Sequence, residues 1–256
     1  MYLIRYRTNN GPAQYGYLEG EEIGSVTGDI FGEFVRGGTV GQLAEVQLLP
    51  PVDPGKIIAV SFNYTDSLRE AGLPAPLLPP IFFKAPTAVI GPGAPIRLPA
   101  QSEAVVHGAA LAVVIGRRGR WVSPEAASQY VLGYTCANDV LALDVADLDQ
   151  AWTRAGSYDT FCPLGPAIAT HANPAELVVQ CAVNGVTRQM TSTNDMLFTV
   201  PQVLAFTSAA MTLLPGDVIL MGSPAGAGPL APGDLVEVTI EGVGKLSNPV
   251  VAEASS

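Results

Sequence analysis

Lys56-Ile-Ile-Ala-Val-Ser61 is a short apolar run, rich in β-branched side chains and bounded by Gly55 and Asn63. A run of this length and composition between breakers is the pattern of a strand buried on both faces. The same pattern predicts strands at Ile81–Lys84, Ala88–Ile90, Ala110–Ile115, Val131–Ala137, Leu177–Val183, Asp217–Met221 and Leu235–Ile240. The 27 glycines and 22 prolines punctuate these runs too often for long helices. Helices are expected at Asp66–Ala71, at Ser123–Tyr130 with Ser123 as N-cap and Pro124 at the first helical position, and at Val200–Thr212. The fold class is therefore α+β, mainly β: a β-roll or sandwich with helices packed at its edges.

Composition sets the outer bounds. Of 256 residues, 13 are Lys or Arg and 23 are Asp or Glu, a formal charge of −10. Nucleic-acid backbones are held by clustered basic side chains, and here the densest basic run is Arg117-Arg118-Gly119-Arg120. No nucleic-acid partner is expected. Charged residues make up 14%, against a norm of about 25%, so the chain buries a large share of itself. The longest purely apolar run, Ala109–Ile115, falls short of the roughly 18 residues of a membrane span, and Met1–Arg7 lacks a secretory apolar core. The expectation is a cytoplasmic chain with no membrane partner. Cys136, Cys162 and Cys181 fit neither a disulfide framework nor a zinc knuckle and read as buried thiols.

Two units are expected: a small β-rich segment over residues 1–50, and a main domain over 55–253. The proline-rich Leu48–Gly55 reads as the linker between them. Near the C-terminus, Leu213-Leu-Pro-Gly-Asp217 and Leu230-Ala-Pro-Gly-Asp234 carry type II turn chemistry, each launching a strand. The loop Met221-Gly-Ser-Pro-Ala-Gly-Ala-Gly228 differs, since its backbone N–H groups and the Ser223 hydroxyl could meet an anionic ligand. It is not a nucleophile elbow, because Gly-x-Ser-x-Gly is absent.

Seven segments together carry a resemblance. Lys56–Tyr64, Phe83–Pro86, Leu111–Gly116, Gly133–Asp139, Asp159–Pro166, Pro215–Leu220 and Gly222–Gly226 resemble, in order, the motifs of the fumarylacetoacetate hydrolase family. Within it the chain is similar to the N-terminal lobe of the bifunctional decarboxylase/isomerase of homoprotocatechuate breakdown. The resemblance implies a β-roll, a dimer, and small oxo or enol dicarboxylic acids as substrates for C–C hydrolysis, decarboxylation or keto–enol isomerisation. It also implies, in active members, a Mg²⁺ or Mn²⁺ ion that grips the oxo acid and stabilises its enolate.

The chain departs from that pattern where the chemistry sits. The family's Glu-x-Glu metal ligands fall on Gly108 and Ala110, leaving Asp139 as the sole retained ligand. The histidine of the His-x-x-Glu pair falls on Ser67, although Glu70 is kept, and the pocket lysine falls on Gly156. One carboxylate holds magnesium poorly, so no cofactor is expected. By strand parity His107 should point away from the face of Gly108 and Ala110, as a packed or exposed residue. Asp144, Asp147 and Asp149 read as a solvated loop, and His171 sits in a loop before Asn173-Pro174.

Three functions follow as expectations. The chain could be a lobe that is weak or silent alone, paired in a homodimer or with a metal-binding sibling subunit. It could be a metal-independent keto–enol isomerase using Glu70 and Ser223, with Lys84, Gly222 and Ser223 holding the ligand. It could be a binding module for small acids. An enzyme would leave Glu70 and Asp139 facing a cleft; a structural lobe could fill that space with apolar side chains.

Overall fold

The computed structural model describes residues 1–8 and 11–253. Ile57–Val60 is a strand with all four residues buried, and it lies inside a twelve-stranded sheet. Along its main path that sheet runs Phe34–Gln42, Glu22–Gly28, Gln14–Glu19, Tyr2–Arg7, Cys162–Ala169, Val131–Asn138, Ala109–Ile115, Val218–Leu220, Ile57–Val60 and Ile81–Lys84. A second sheet of five strands runs Val186–Ser192, Val178–Val183, Leu235–Ile240, Gly244–Ala252 and Ile96–Leu98. The two sheets pack through Cys162–Ala169 against Gly244–Ala252 and through Ala109–Ile115 against Val178–Val183. Between them lies one large apolar core. Ala109–Ile115 is buried at every residue, which explains its unbroken apolar sequence.

The strands predicted from sequence are present to within a residue or two at each end. In the two Pro-Gly turns, Gly216 and Gly233 take φ of +84° and +96°, the value the third position of a type II turn requires. The turn before Val218 is locked further by Asp217, whose carboxylate accepts from the N–H groups of Leu214 and Lys56 and pairs with the Lys56 ammonium.

Among the described residues the four α-helices are short: α1 (Thr65–Ala71), α2 (Leu143–Asp149), α3 (Trp152–Ala155) and α4 (Val200–Ala210). Of these four, α4 alone has a capping box, between Thr199 and Gln202. Ser123–Tyr130 differs from expectation. It winds as 3₁₀ turns over Pro124–Tyr130, and the Ser123 side chain makes no cap hydrogen bond. The acidic stretch also differs: Asp144, Asp147 and Asp149 lie on α2, because Val145 and Ala146 between them are buried against the core. The N-terminal strands extend the large sheet directly, with Tyr2 opposite Ala169 and Leu3 opposite Ile168. In the proline-rich stretch Pro51, Val52 and Pro54 are buried. The three thiols are free and buried, and burial pushes each up to about 12. No helix is long and apolar enough to cross a membrane among the described residues.

Candidate functional site

Where the large sheet gives way to α1, α2, α3 and the 221–228 loop, the chain encloses a cavity of about 360 Å³. That is the size of a pocket for a small organic molecule. Its lining includes apolar Phe82, Leu141 and Trp152 as well as Glu70, Asp139, His107 and Ser223. The polar lining residues come from four segments distant in sequence, so their convergence is a property of the sheet order.

Asp139 follows the Val131–Asn138 strand and is buried. Its carboxylate takes a hydrogen bond of 2.6 Å from the Lys84 ammonium, which also donates to the Val140 carbonyl at 3.0 Å. The two side chains are 6% and 0% exposed. Lys84, expected to hold a ligand, therefore lies behind Asp139 and outside the cavity lining. The physical reason is charge compensation, since a buried carboxylate needs a partner. Gly156 is packed on the same ammonium: a β-carbon there would stand 2.9 Å from Lys84 Nζ. Lys84 thus fills the space into which a side chain at 156 would grow.

Gly108 is equally constrained. A β-carbon at this position would meet the Asp139 carbonyl at 2.8 Å and Ser223 Oγ at 3.1 Å. Its N–H is held by Asn138 Oδ1 at 2.9 Å. Ala110 is fully buried. Among the described residues no three His, Cys, Asp or Glu side chains converge as metal ligands. Magnesium asks for near-octahedral oxygen coordination. Here a single carboxylate, already bonded to an ammonium, stands where three would be needed, so the donors present do not fit the ion.

Glu70, near the end of α1, lines the cavity and accepts a hydrogen bond from the Gly226 N–H at 3.1 Å. Ser67 also faces the cavity, but its hydroxyl donates to the Tyr64 carbonyl at 2.9 Å. Ser223 lines the cavity, whereas Gly222, also expected to bind a ligand, does not. Gly222 has φ of +86°, and a β-carbon on it would stand 2.8 Å from both Asn63 Cβ and the Val60 carbonyl. Its part is to let the loop turn against Asn63, which donates to the Met221 carbonyl at 2.8 Å.

His107 is packed, but it precedes the Ala109–Ile115 strand and lines the same cavity as Gly108, so strand parity does not set its direction. Its Nδ1 lies 3.2 Å from Gln189 Oε1 and 3.4 Å from Cys181 Sγ. Burial lowers its pKa below the usual 6.5, outweighing the opposing effect of the hydrogen bond it donates to Gln189 Oε1. Two buried amides hold the 221–228 loop, Asn63 through Met221 and Gln189 through Ser223 and Pro224; the sequence marks Asn63 only as the boundary of an apolar run and gives Gln189 no role. Gln189 is the only buried residue of Val186–Ser192, and nothing in its polar neighbours sets it apart.

The fold and the cleft define a β-rich protein with a pocket of small-molecule size bounded by carboxylates and a glycine-rich loop. The chain belongs to the fumarylacetoacetate hydrolase family: residues 56–251 match the fumarylacetoacetate (FAA) hydrolase C-terminal domain, and residues 1–51 match the Rv2993c-like N-terminal domain. Protein Rv2993c of Mycobacterium tuberculosis is 47% identical over 212 residues, covering 82% of this chain and 80% of that protein. A Xenopus laevis protein named oxaloacetate tautomerase fahd2, mitochondrial, is 40% identical over 221 residues, covering 81% of this chain and 69% of that one. Among solved structures, 5-carboxymethyl-2-hydroxymuconate delta-isomerase from Mycobacterium smegmatis superposes with a TM-score of 0.93 at 42% identity, covering 99% of this chain and all of that one. Maleylpyruvate hydrolase from Sphingobium sp. SYK-6, solved with manganese(II) and pyruvate, does so with a TM-score of 0.82 at 30% identity, covering 99% of this chain and all of that one.

Proposed function

We propose that this chain is a metal-independent keto–enol tautomerase of small oxo and enol acids, keeping the isomerase part of its family's chemistry without the C–C cleaving part. The observation that carries this reading is the open cleft, with Glu70, Asp139 and Ser223 on its walls. A purely structural lobe has no need to keep that space. Support also comes from the relatives whose names are those of an isomerase and a tautomerase. Tautomerisation asks only for a proton shift: the enol O–H bond breaks, a C–H bond forms on the neighbouring chain carbon, and nothing is oxidised or reduced. Glu70 would carry that proton, and Ser223 would hydrogen-bond the substrate oxygen as charge develops on it. Cleavage of a C–C bond asks for stronger enolate stabilisation, which the donors around Asp139 do not offer.

The cavity's charge bears on affinity. Its charged lining consists of Glu70, Asp139 and Asp147, with no lysine or arginine among the described residues. Binding of a dianionic acid should therefore tighten as salt screens the carboxylates. The direct test follows decay of the enol form of a small oxo-diacid by ultraviolet absorbance, in chelator, with enzyme and buffer rates compared. Turnover that falls roughly a hundredfold in Glu70→Gln supports the reading. A rate equal to buffer contradicts it and leaves a lobe silent on its own.

A further inference from the structure

We infer that Gln189 is a positioning residue that turns the Ser223 hydroxyl into a hydrogen-bond donor aimed at the ligand. The inference rests on the acid-binding reading of the cavity given above. Gln189 is 1% exposed, and both ends of its amide are engaged. Its Oε1 accepts from the Ala109 N–H at 2.9 Å; its Nε2 donates to the Pro224 carbonyl at 2.7 Å and to Ser223 Oγ at 2.9 Å. A backbone N–H only donates and a carbonyl only accepts, so the amide has one allowed orientation. Flipping it would set N–H against N–H and oxygen against oxygen.

Two consequences follow from that fixed orientation. First, Ser223 Oγ is an acceptor toward Gln189, so the hydroxyl hydrogen is left over. Among the described residues Ser223 has no acceptor for it, and the residue lines the cavity. The hydrogen is therefore available to an anionic oxygen of a ligand. Second, Gln189 Oε1 also faces His107 Nδ1 at 3.2 Å. The nitrogen facing an acceptor must carry the proton, which fixes the neutral histidine as its Nδ1–H tautomer. Gly108 belongs to the same arrangement. With a β-carbon 3.1 Å from Ser223 Oγ, a larger residue would push the serine off its amide.

The test uses oxalate as the probe, titrated calorimetrically into the purified full chain at neutral pH. Ser223→Ala and Gln189→Glu should each weaken oxalate by roughly ten- to a hundredfold, the worth of one hydrogen bond to a charged group. The glutamate cannot donate, so Ser223 would turn its hydrogen inward to it. Read at high salt, which screens the added carboxylate, the double variant should bind no more weakly than either single one, and Ser223→Thr, which keeps the hydroxyl, should stay near wild type. A merely structural role for Gln189 would instead give additive losses. Nitrogen-15 shifts of His107 in the wild-type protein supply a readout without any variant: Nδ1 should be protonated and Nε2 bare. Gln189→Glu binding as well as wild type, additive losses, or a protonated Nε2 with bare Nδ1 would each overturn the inference alone. No oxalate binding by the wild type would instead sink the acid-binding reading itself, and the inference with it.

Discussion

Lys84→Met removes the positive half of the buried Lys84–Asp139 pair while keeping most of the aliphatic stem. At 2.6 Å and an effective dielectric of about 20, the pair's attraction is about 6 kcal/mol. Part of that is already spent on desolvating the two charges, and the Val140 carbonyl loses a donor as well. Removing one partner of such a pair generally costs about 3–5 kcal/mol, and this is the loss in unfolding free energy expected from urea denaturation at neutral pH. The cost arises from stranding Asp139 rather than from losing a favourable contact. Lys84→Met/Asp139→Asn should therefore be less destabilised than the sum of its parts by about 2 kcal/mol. A loss below about 1 kcal/mol in Lys84→Met, or strict additivity in the double variant, would refute this account of why the lysine turns away from the cavity.

Other expectations follow from the same geometry. Gly108→Glu should destabilise the fold by about 2–4 kcal/mol, because its β-carbon would meet the Asp139 carbonyl at 2.8 Å; a manganese titration of this variant should show no regained site, since Ala110 still offers no carboxylate. His107, with its pKa lowered from 6.5 by burial, favours folding while neutral. Its contribution is present above the unfolded-state value and is lost as pH falls below it, so the difference in urea midpoint between wild type and His107→Gln should shrink steadily from pH 7 into the acid range. The three buried thiols, pushed up to about 12, should resist a disulfide reagent in the native protein at mild alkaline pH and react at once in denaturant.

What could be read in advance followed burial. Ile57–Val60 and Ala109–Ile115 are enclosed on both faces, so their sequences are apolar throughout. Val186–Ser192 went unread as a strand because Gln189 alone is buried there, and a polar residue facing inward carries no hydrophobic signal. Cys162–Ala169 contains two prolines yet is a central strand, and its place is set by neighbours on both sides rather than by its own propensity. Helix α2 was hidden by its three aspartates, since a seven-residue helix docked by Val145 and Ala146 has no visible period. At the site, Glu70, Asp139 and Ser223 were found as positions, and all three meet at the cavity. The directions of Lys84 and Gly222 were not legible, because each is decided by a long-range partner, Asp139 for one and Asn63 for the other.

On the proposed reading the cleft works without a metal ion. The most direct test is a calorimetric titration of the chelator-treated protein with manganese at neutral pH, with and without oxalate. The account predicts no stoichiometric manganese binding in either case. Stoichiometric binding strengthened by oxalate would contradict it, and would mean that other side chains have taken over from the carboxylates absent at Gly108 and Ala110.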